Sequence, residues 1–196
     1  TFRESVSTKN ATVTLHDGEG VRMLSNHNRL LRSYDGAIGV KTGFTKTSGR
    51  CLVSAAERDG VTMIAVTLSA PDDWNDHRAM LDYGFSKYTN VKLAVPEQFT
   101  CVLPIAGAAG SENVTCTNTS SFSLTVKNED AERISARIET NGLLFAPCDE
   151  GSEVGHVVFS LDGKMLESLP LITLTAATVP QKEKSILDKI KAFFGY

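Results

Sequence analysis

The sequence predicts an α+β chain followed by a small all-β sandwich and a terminal helix. Three observations predict it. Residues 37–88 read as apolar strands followed by one helix. From Val91 onward, short alternating strands recur at roughly eight- to twelve-residue spacing between turn clusters. Residues 180–196 place apolar side chains at helical spacing.

Residues 1–10 are polar and carry no clear pattern. Residues 11–16 alternate as a strand, and Asp17-Gly18-Glu19-Gly20 reads as a turn. Ala37-Ile38-Gly39-Val40 reads as a short buried strand, yet it runs into Lys41-Thr42-Gly43-Phe44-Thr45. A buried strand has no use for a lysine at its end, whereas an anion site does. Lys41 supplies a compact cation, Thr42 and Thr45 supply hydroxyls, and Gly43 admits a ligand close to the backbone. At the edge of a cleft, such a strand could also pair with an extended peptide. Lys-Thr-Gly alone is a short signal, and most occurrences are strand ends running into turns. Its flanks add weight. Residues 50–57 and 61–68 are apolar strands joined by Asp59-Gly60, a hairpin signature. Residues 72–88 then read as a helix with an acidic, capped start.

Examples of the later strands are residues 99–103, 114–116, 122–126, 134–138, 154–159 and 172–175. No polar constellation among them looks catalytic. In the tail, Ile186, Leu187, Ile190, Phe193 and Phe194 fall on one helical face, and four lysines outnumber Glu183 and Asp188. This pattern reads as a helix lying in an anionic membrane surface, the alternative being a helix docked on the protein's own core.

Composition is that of an ordinary globular chain, 41% hydrophobic and 22% charged. A formal net charge of -3 gives no bias toward nucleic acid. No apolar run is long enough to span a membrane as a helix. No signal peptide is visible, and the missing initiator methionine reads as a start after a cut or truncation. Cys51, Cys101, Cys116 and Cys148 include no Cys-x-x-Cys pair, so zinc and redox sites are not expected. Cys51 reads as a buried free thiol, and one disulfide is possible among the other three. His16, His27, His77 and His156 lack metal-ligand spacing and read as surface or capping residues. Asp72, Asp73 and Asp76 suit the positive end of a helix better than a metal. Arg78 reads as part of a solvated helix face. No cofactor and no metal are expected. Asn113 and Asn118 begin glycosylation-type triplets.

Residues 38–45, the 49–68 hairpin and the 72–88 helix together resemble the C-terminal part of the transpeptidase-like domain of low-molecular-mass penicillin-binding proteins. Within that group they are similar to the serine-type D-alanyl-D-alanine carboxypeptidases, whose chemistry uses Ser-x-x-Lys, a serine–asparagine motif and Lys-Thr-Gly. The likeness is strong over residues 25–88, and the remainder matches that family's layout. It implies a penicillin-binding-protein/β-lactamase-like domain over residues 1–88, a β-sandwich domain over 89–179 and a membrane-surface helix over 180–196. It further implies a bacterial, extracytoplasmic protein, peripheral on the outer face of the cytoplasmic membrane. The glycosylation triplets are then coincidental. The expected partners are peptidoglycan stem peptides and, as inhibitors, β-lactam antibiotics.

By the same resemblance, Lys41, Thr42 and Gly43 are the catalytic candidates, and Lys41, Thr42, Phe44, Thr45 and His27 the substrate-binding ones. Lys41 would assist carboxylate binding and Thr42 would enter the polar network. Thr45 would contact the carboxylate, and the Phe44 backbone N–H would donate to the oxyanion. In the family's Asn-x-Asn stretch, some relatives carry a carboxylate-reading arginine at the middle position. Here Asn26-His27-Asn28 places His27 there, with Arg29 or Arg32 as possible substitutes. Ser-x-x-Lys does not occur in the sequence. The one Ser-x-Asn, Ser111-Glu112-Asn113, lies in the β region and is rejected. The expectation is therefore the C-terminal portion of a longer enzyme, unable to form an acyl-enzyme by itself. The competing expectations are a non-catalytic cell-envelope binding or spacer module and a β-lactamase relative. The second is disfavoured because a secreted β-lactamase needs neither the β domain nor the tail.

Overall fold

The structure, a computed structural model, describes residues 1–15 and 20–180. It contains both helices and strands, with strands in the majority. The chain divides into two compact units, residues 1–91 with 124–131, and residues 92–123 with 132 onward. Among the described residues, no helix is long and apolar enough to cross a membrane. The expected helix over residues 180–196 and the expected turn at residues 17–20 lie almost wholly outside the described residues, as does His16.

The first unit opens on a helix that the polar composition of residues 1–10 concealed. Helix α1 (Phe2–Ser7) is closed by a capping box, in which Thr1 Oγ1 accepts from the Glu4 backbone and the Glu4 side chain accepts from Thr1. Strands β1 (Asn10–Thr14) and β2 (Val21–Ser25) pair as an antiparallel hairpin. The short helix α2 (Leu30–Ser33) buries Leu30 and Leu31. Its Arg32 ties down the base of the hairpin, donating to Lys9 O, Asn10 Oδ1, Ser25 Oγ and Asn26 O over 2.7–3.0 Å. Arg32 therefore braces the hairpin through backbone and side-chain oxygens.

Strands β3 (Ala37–Thr45), β4 (Gly49–Arg58) and β5 (Val61–Thr67) form an antiparallel sheet in that order. The predicted Asp59-Gly60 turn joins β4 to β5. Both residues have positive φ, 49° and 77°, as a tight hairpin turn requires. Helix α3 (Asp73–Lys87) covers one face around Ala56, Ala65 and Leu81. On the other face, Ile64, Val66 and Leu68 are exposed. At Gly39, φ is +145°, and an added Cβ would stand 2.8 Å from Val6 Cγ2 of α1. Glycine there lets α1 lie against the start of β3.

His77 corrects the expectation of a surface histidine. It is fully buried in α3 and bridges two strands, with Nδ1 2.5 Å from Ser54 Oγ and Nε2 2.9 Å from Thr67 Oγ1. The helical period that carries Asp73 and Leu81 inward carries His77 with them. Burial lowers its pKa, against a smaller upward pull from Asp73 and Asp76. Arg78 is half-buried and donates to Ser33 Oγ at 2.8 Å, so it does not belong to a solvated face. Further along α3, Asp82 Oδ1 accepts from Tyr34 Oη at 2.7 Å, and the Arg58 guanidinium lies 4.5 Å from the Tyr34 ring and 4.7 Å from the Phe85 ring. Burial, then the Asp82 hydrogen bond, push the Tyr34 phenol up to about 12.

Strands β6 (Tyr88–Ala94) and β9 (Phe122–Lys127) pair as a ribbon, and a 3-10 helix follows over Asn128–Arg133. In the second unit, β7 (Thr100–Ala106), β8 (Asn113–Asn118), β10 (Ile134–Thr140), β11 (Leu144–Phe145), β12 (Glu153–Leu161) and β13 (Lys164–Thr173) supply one ladder in the order β10-β12-β13-β8-β7-β11. The strands predicted for a two-sheet sandwich are thus joined edge to edge. Pairing of Asn118 with Leu171 closes the gap between hairpins, and register shifts in the β12–β13 pair bend the ladder. One core cluster gathers Leu103, Ile105, Val114, Cys116 and Val154; another gathers Val157, Phe159, Leu169 and Leu171. Cys101 and Cys148 pack against the first, and all four cysteines are free thiols. Burial pushes the Cys116 thiol up to about 11. Asn118 is fully buried. Its amide donates to Val95 O and Ser120 O, so this side chain offers no acceptor site for a glycan.

Two outcomes test this description. Gly39→Ala adds a methyl at a backbone angle that L residues avoid and drives it into Val6; a loss of about 1–3 kcal/mol in urea unfolding is expected. For His77, the folded pKa lies below the unfolded value of 6.5. Protons then favour the unfolded state as pH falls below 6.5, and the associated stability, complete above that value, is lost through the folded pKa. The urea midpoint of the native chain should therefore drop more steeply on acidification from pH 6.5 than that of His77→Gln. Equal slopes would show that His77 does not stay neutral in the fold.

Candidate active site

Among the described residues strand β3 lies at the edge of its sheet, and only β4 pairs with it there. Register sets Lys41 opposite Val53, Thr42 opposite Leu52, Gly43 opposite Cys51 and Phe44 opposite Arg50. Because successive residues of a strand point to opposite faces, Lys41 and Gly43 share one face, and Thr42 and Phe44 the other. All four nevertheless line one cavity of about 410 Å³. His27, Arg29, Arg50, Cys51, Asp73 and Trp74 complete its wall. The structure thus places His27 on the same cavity as the Lys-Thr-Gly strand. It does not bring Thr45 there: Thr45 Oγ1 accepts the Ser48 N–H at 2.9 Å and helps close the β3–β4 turn. Cys51 is half-buried on this wall, which corrects the expectation of a buried thiol in an apolar strand.

Each side chain has a local reason for its place. Lys41 is exposed and its Nζ donates to the neighbouring Thr42 carbonyl. No carboxylate pairs with it among the described residues. At Gly43, an added Cβ would meet only Cys51, at 3.8 Å. Nothing inside the chain demands glycine at this position, so the open side of Gly43 is space for something else. Phe44 is exposed although apolar, at the mouth of the same cavity.

Arg50 and Asp73 form the wall's internal ion pair. Arg50 Nε and Nη2 both donate to Asp73 Oδ1, at 3.1 and 2.8 Å, and the aspartate is buried. The predicted acidic helix start therefore has a second use. Asp72 holds Asn75, while Asp73 turns inward and anchors a strand arginine. Trp74 follows Asp73 and stands between two guanidiniums. Arg29 Cζ is 5.9 Å and Arg50 Cζ 5.8 Å from its ring centroid. Its indole Nε1 is shielded from solvent and has no hydrogen-bond partner. The cavity thus presents three fixed cations, Arg29, Lys41 and Arg50, against one carboxylate, Asp73. An anionic ligand suits it, and the adjoining edge strand β3 is of the kind that an extended peptide can pair with.

Arg50, Asp73 and Trp74 escaped the sequence reading. The available signal was weak but present. Arg50 lies one register step beyond Gly43, and Trp74 is the chain's only tryptophan, placed at the start of a helix that follows the hairpin. Among the described residues, no group of histidine, cysteine or carboxylate side chains could hold a metal ion.

Comparison with known proteins places this geometry. A family model described as D-alanyl-D-alanine carboxypeptidase matches residues 3–72, and one described as penicillin-binding protein 5, C-terminal domain, matches residues 105–179. The chain is 30% identical over 175 residues to the D-alanyl-D-alanine carboxypeptidase DacF of Bacillus subtilis, covering 88% of this chain and 44% of that protein. The crystal structure of the D-alanyl-D-alanine carboxypeptidase DacD from Francisella tularensis aligns with a TM-score of 0.53 at 30% identity, over 82% of this chain and 41% of that one. Penicillin-binding protein 5 from Haemophilus influenzae aligns with a TM-score of 0.62 at 22% identity, over 90% and 51%, and shares the fold. The chain spans about half or less of the length of these relatives. With both matched regions in the same order along one chain, and the Lys41-Thr42-Gly43 strand inside the first, the chain belongs to the D-alanyl-D-alanine carboxypeptidase family.

Proposed function

We propose that this chain is the Lys-Thr-Gly portion of a serine-type D-Ala-D-Ala carboxypeptidase that removes the terminal D-alanine of peptidoglycan stem peptides through an acyl-enzyme. One observation carries the reading. Lys41, Thr42, Gly43 and Phe44 line a single cationic cavity at the uncovered edge of β3. The sequence holds no Ser-x-x-Lys, so the chemistry requires this chain to be joined to that motif.

In that reading, an extended peptide runs along the free edge of β3. The Lys41 ammonium attracts its C-terminal carboxylate, and His27 stands on the same wall. The serine attacks the carbonyl between the two D-alanines, and charge develops on the carbonyl oxygen. The Phe44 backbone N–H is assigned as one donor to that oxygen, a contribution of about 3–4 kcal/mol. The Thr42 hydroxyl hydrogen-bonds within the polar network beside the scissile bond. Gly43 keeps the substrate backbone close enough for these contacts. Water then releases the acyl group and regenerates the serine. β-Lactams follow the same first step and are held as stable acyl-enzymes. We assign residues 1–88 to the peptidase portion, 89–179 to an appended β domain, and 180–196 to a helix resting on the outer face of the cytoplasmic membrane through Ile186, Leu187, Ile190, Phe193 and Phe194.

The test is acylation by a fluorescent penicillin in a protein that joins this chain to its Ser-x-x-Lys motif. Lys41→Ala should slow labelling on the order of a hundredfold while the thermal midpoint stays near that of the parent. Gly43→Ala should also leave the fold intact, since its Cβ meets only Cys51 at 3.8 Å, yet slow labelling by blocking the approach of the ligand. Unchanged labelling in both variants would remove the Lys-Thr-Gly strand from the reaction.

A further inference from the structure

The cavity has two cationic poles, and the proposed reaction uses one. Lys41 with Thr42 and Gly43 serves the C-terminal carboxylate. Across the wall, Arg29 and Arg50 flank Trp74 at 5.9 and 5.8 Å. Arg50 is bound to Asp73, both of its contacts going to the single oxygen Oδ1. Arg29 is exposed, and its guanidinium makes no ion pair and no hydrogen bond among the described residues. The indole N–H of Trp74 is shielded from solvent, so Trp74 contributes to this pole through its ring. A ligand with one carboxylate leaves this second pole unpaired. Asp73 compensates Arg50, so Arg29 and Lys41 remain as two uncompensated cations on one wall. Their complement is a ligand with two negative charges.

We propose that Arg29, Trp74 and Arg50 form a second anion subsite, which selects peptides carrying a side-chain carboxylate in addition to the C-terminal one. Arg29 supplies the free charge and planar donors that match a carboxylate. Trp74 holds the Arg29 guanidinium over its ring, which limits the side chain's freedom before binding. Arg50, kept in place by Asp73, adds positive potential from the strand side. The subsite deepens the carboxypeptidase reading and rests on it for the peptide's direction along β3. The charge count at the second pole stands independently.

Trp74 provides the readout, because it is the only tryptophan in the chain. Its emission is followed while the 196-residue chain is titrated with acetyl-Glu-D-Ala-D-Ala and with the isosteric acetyl-Gln-D-Ala-D-Ala. The glutamyl peptide should bind about tenfold more tightly at low salt. This advantage should shrink in about 0.5 M salt, where exposed charges are screened. Arg29→Gln, an exposed substitution, should bring the two affinities within about twofold, and Arg29→Lys should restore part of the difference. Equal binding of both peptides to the native chain overturns the subsite and leaves the carboxypeptidase reading standing. A glutamyl advantage that persists in Arg29→Gln overturns it as well. If both peptides are inert, the carboxypeptidase reading is decided by penicillin labelling of the joined protein, and glutarate against its monoamide decides the subsite. Tighter, Arg29-dependent binding of glutarate upholds it, and equal binding overturns it.

Discussion

The buried contact of His77 with Ser54 and Thr67 fixes the geometry on which the cavity depends. One imidazole joins α3 to both β4 and β5, and its neutral ring can accept from one hydroxyl while donating to the other. Burial favours the neutral form of the ring, against a smaller upward pull from Asp73 and Asp76. The consequence reaches the surface one helical turn away. His77 sets the rotation of α3, and that rotation turns Asp73 inward to Arg50 and leaves Trp74 on the cavity wall. Residues four apart on a helix share a face, so the core position of His77 and the buried ion pair of Asp73 are one constraint.

The second constraint is the uncovered edge of β3. An edge strand presents unpaired backbone groups, a liability that proteins usually blunt with charge, a bulge or a covering segment. Here the edge carries Lys41, and a register shift lies between Ala37 and Gly39 at the strand's start. The lysine discourages indiscriminate strand addition, and in the proposed reaction it would favour a peptide that ends in a carboxylate. Arg50 adds to the same potential but is compensated by Asp73. Removing either partner of that pair would leave a charge on the wall without its mate, a larger loss than an exposed ion pair is worth.

Much of this was legible in the sequence, for identifiable reasons. The β4–β5 hairpin was readable because Asp59-Gly60 is the chemistry its turn demands, and α3 because its acidic start and length are strong signals. Lys41-Thr42-Gly43 stood out because a lysine at the end of an apolar run conflicts with burial. Helix α1 was not legible: it buries no residue and rests on a capping box at the first residues, so no apolar period marks it. His77 was misread because one histidine on a helix looks the same whether it faces water or two hydroxyls 23 and 10 residues away. The cavity wall failed to show for the same reason, since Phe44–Arg50 pairing and the Arg50–Asp73 bridge are products of register and packing. The turn-closing contact of Thr45 was not legible, because a hydroxyl near a motif looks the same whether or not it also accepts from a turn.

The geometry also weighs the enzyme reading against that of a spacer module. A spacer needs rigid strands and a compatible surface, and the six-stranded ladder of the second unit would serve that end. It gains nothing from an exposed lysine without a carboxylate partner among the described residues, or from a glycine at which an added Cβ would touch only Cys51, at 3.8 Å. Each of these is neutral or unfavourable for folding alone. Placed around one open strand edge, they become complementary to a single object, an extended peptide with carboxylate charge. A ligand that pairs with Lys41 and lies against Gly43 would draw binding energy from both features, which is the physical argument for assigning this wall to recognition.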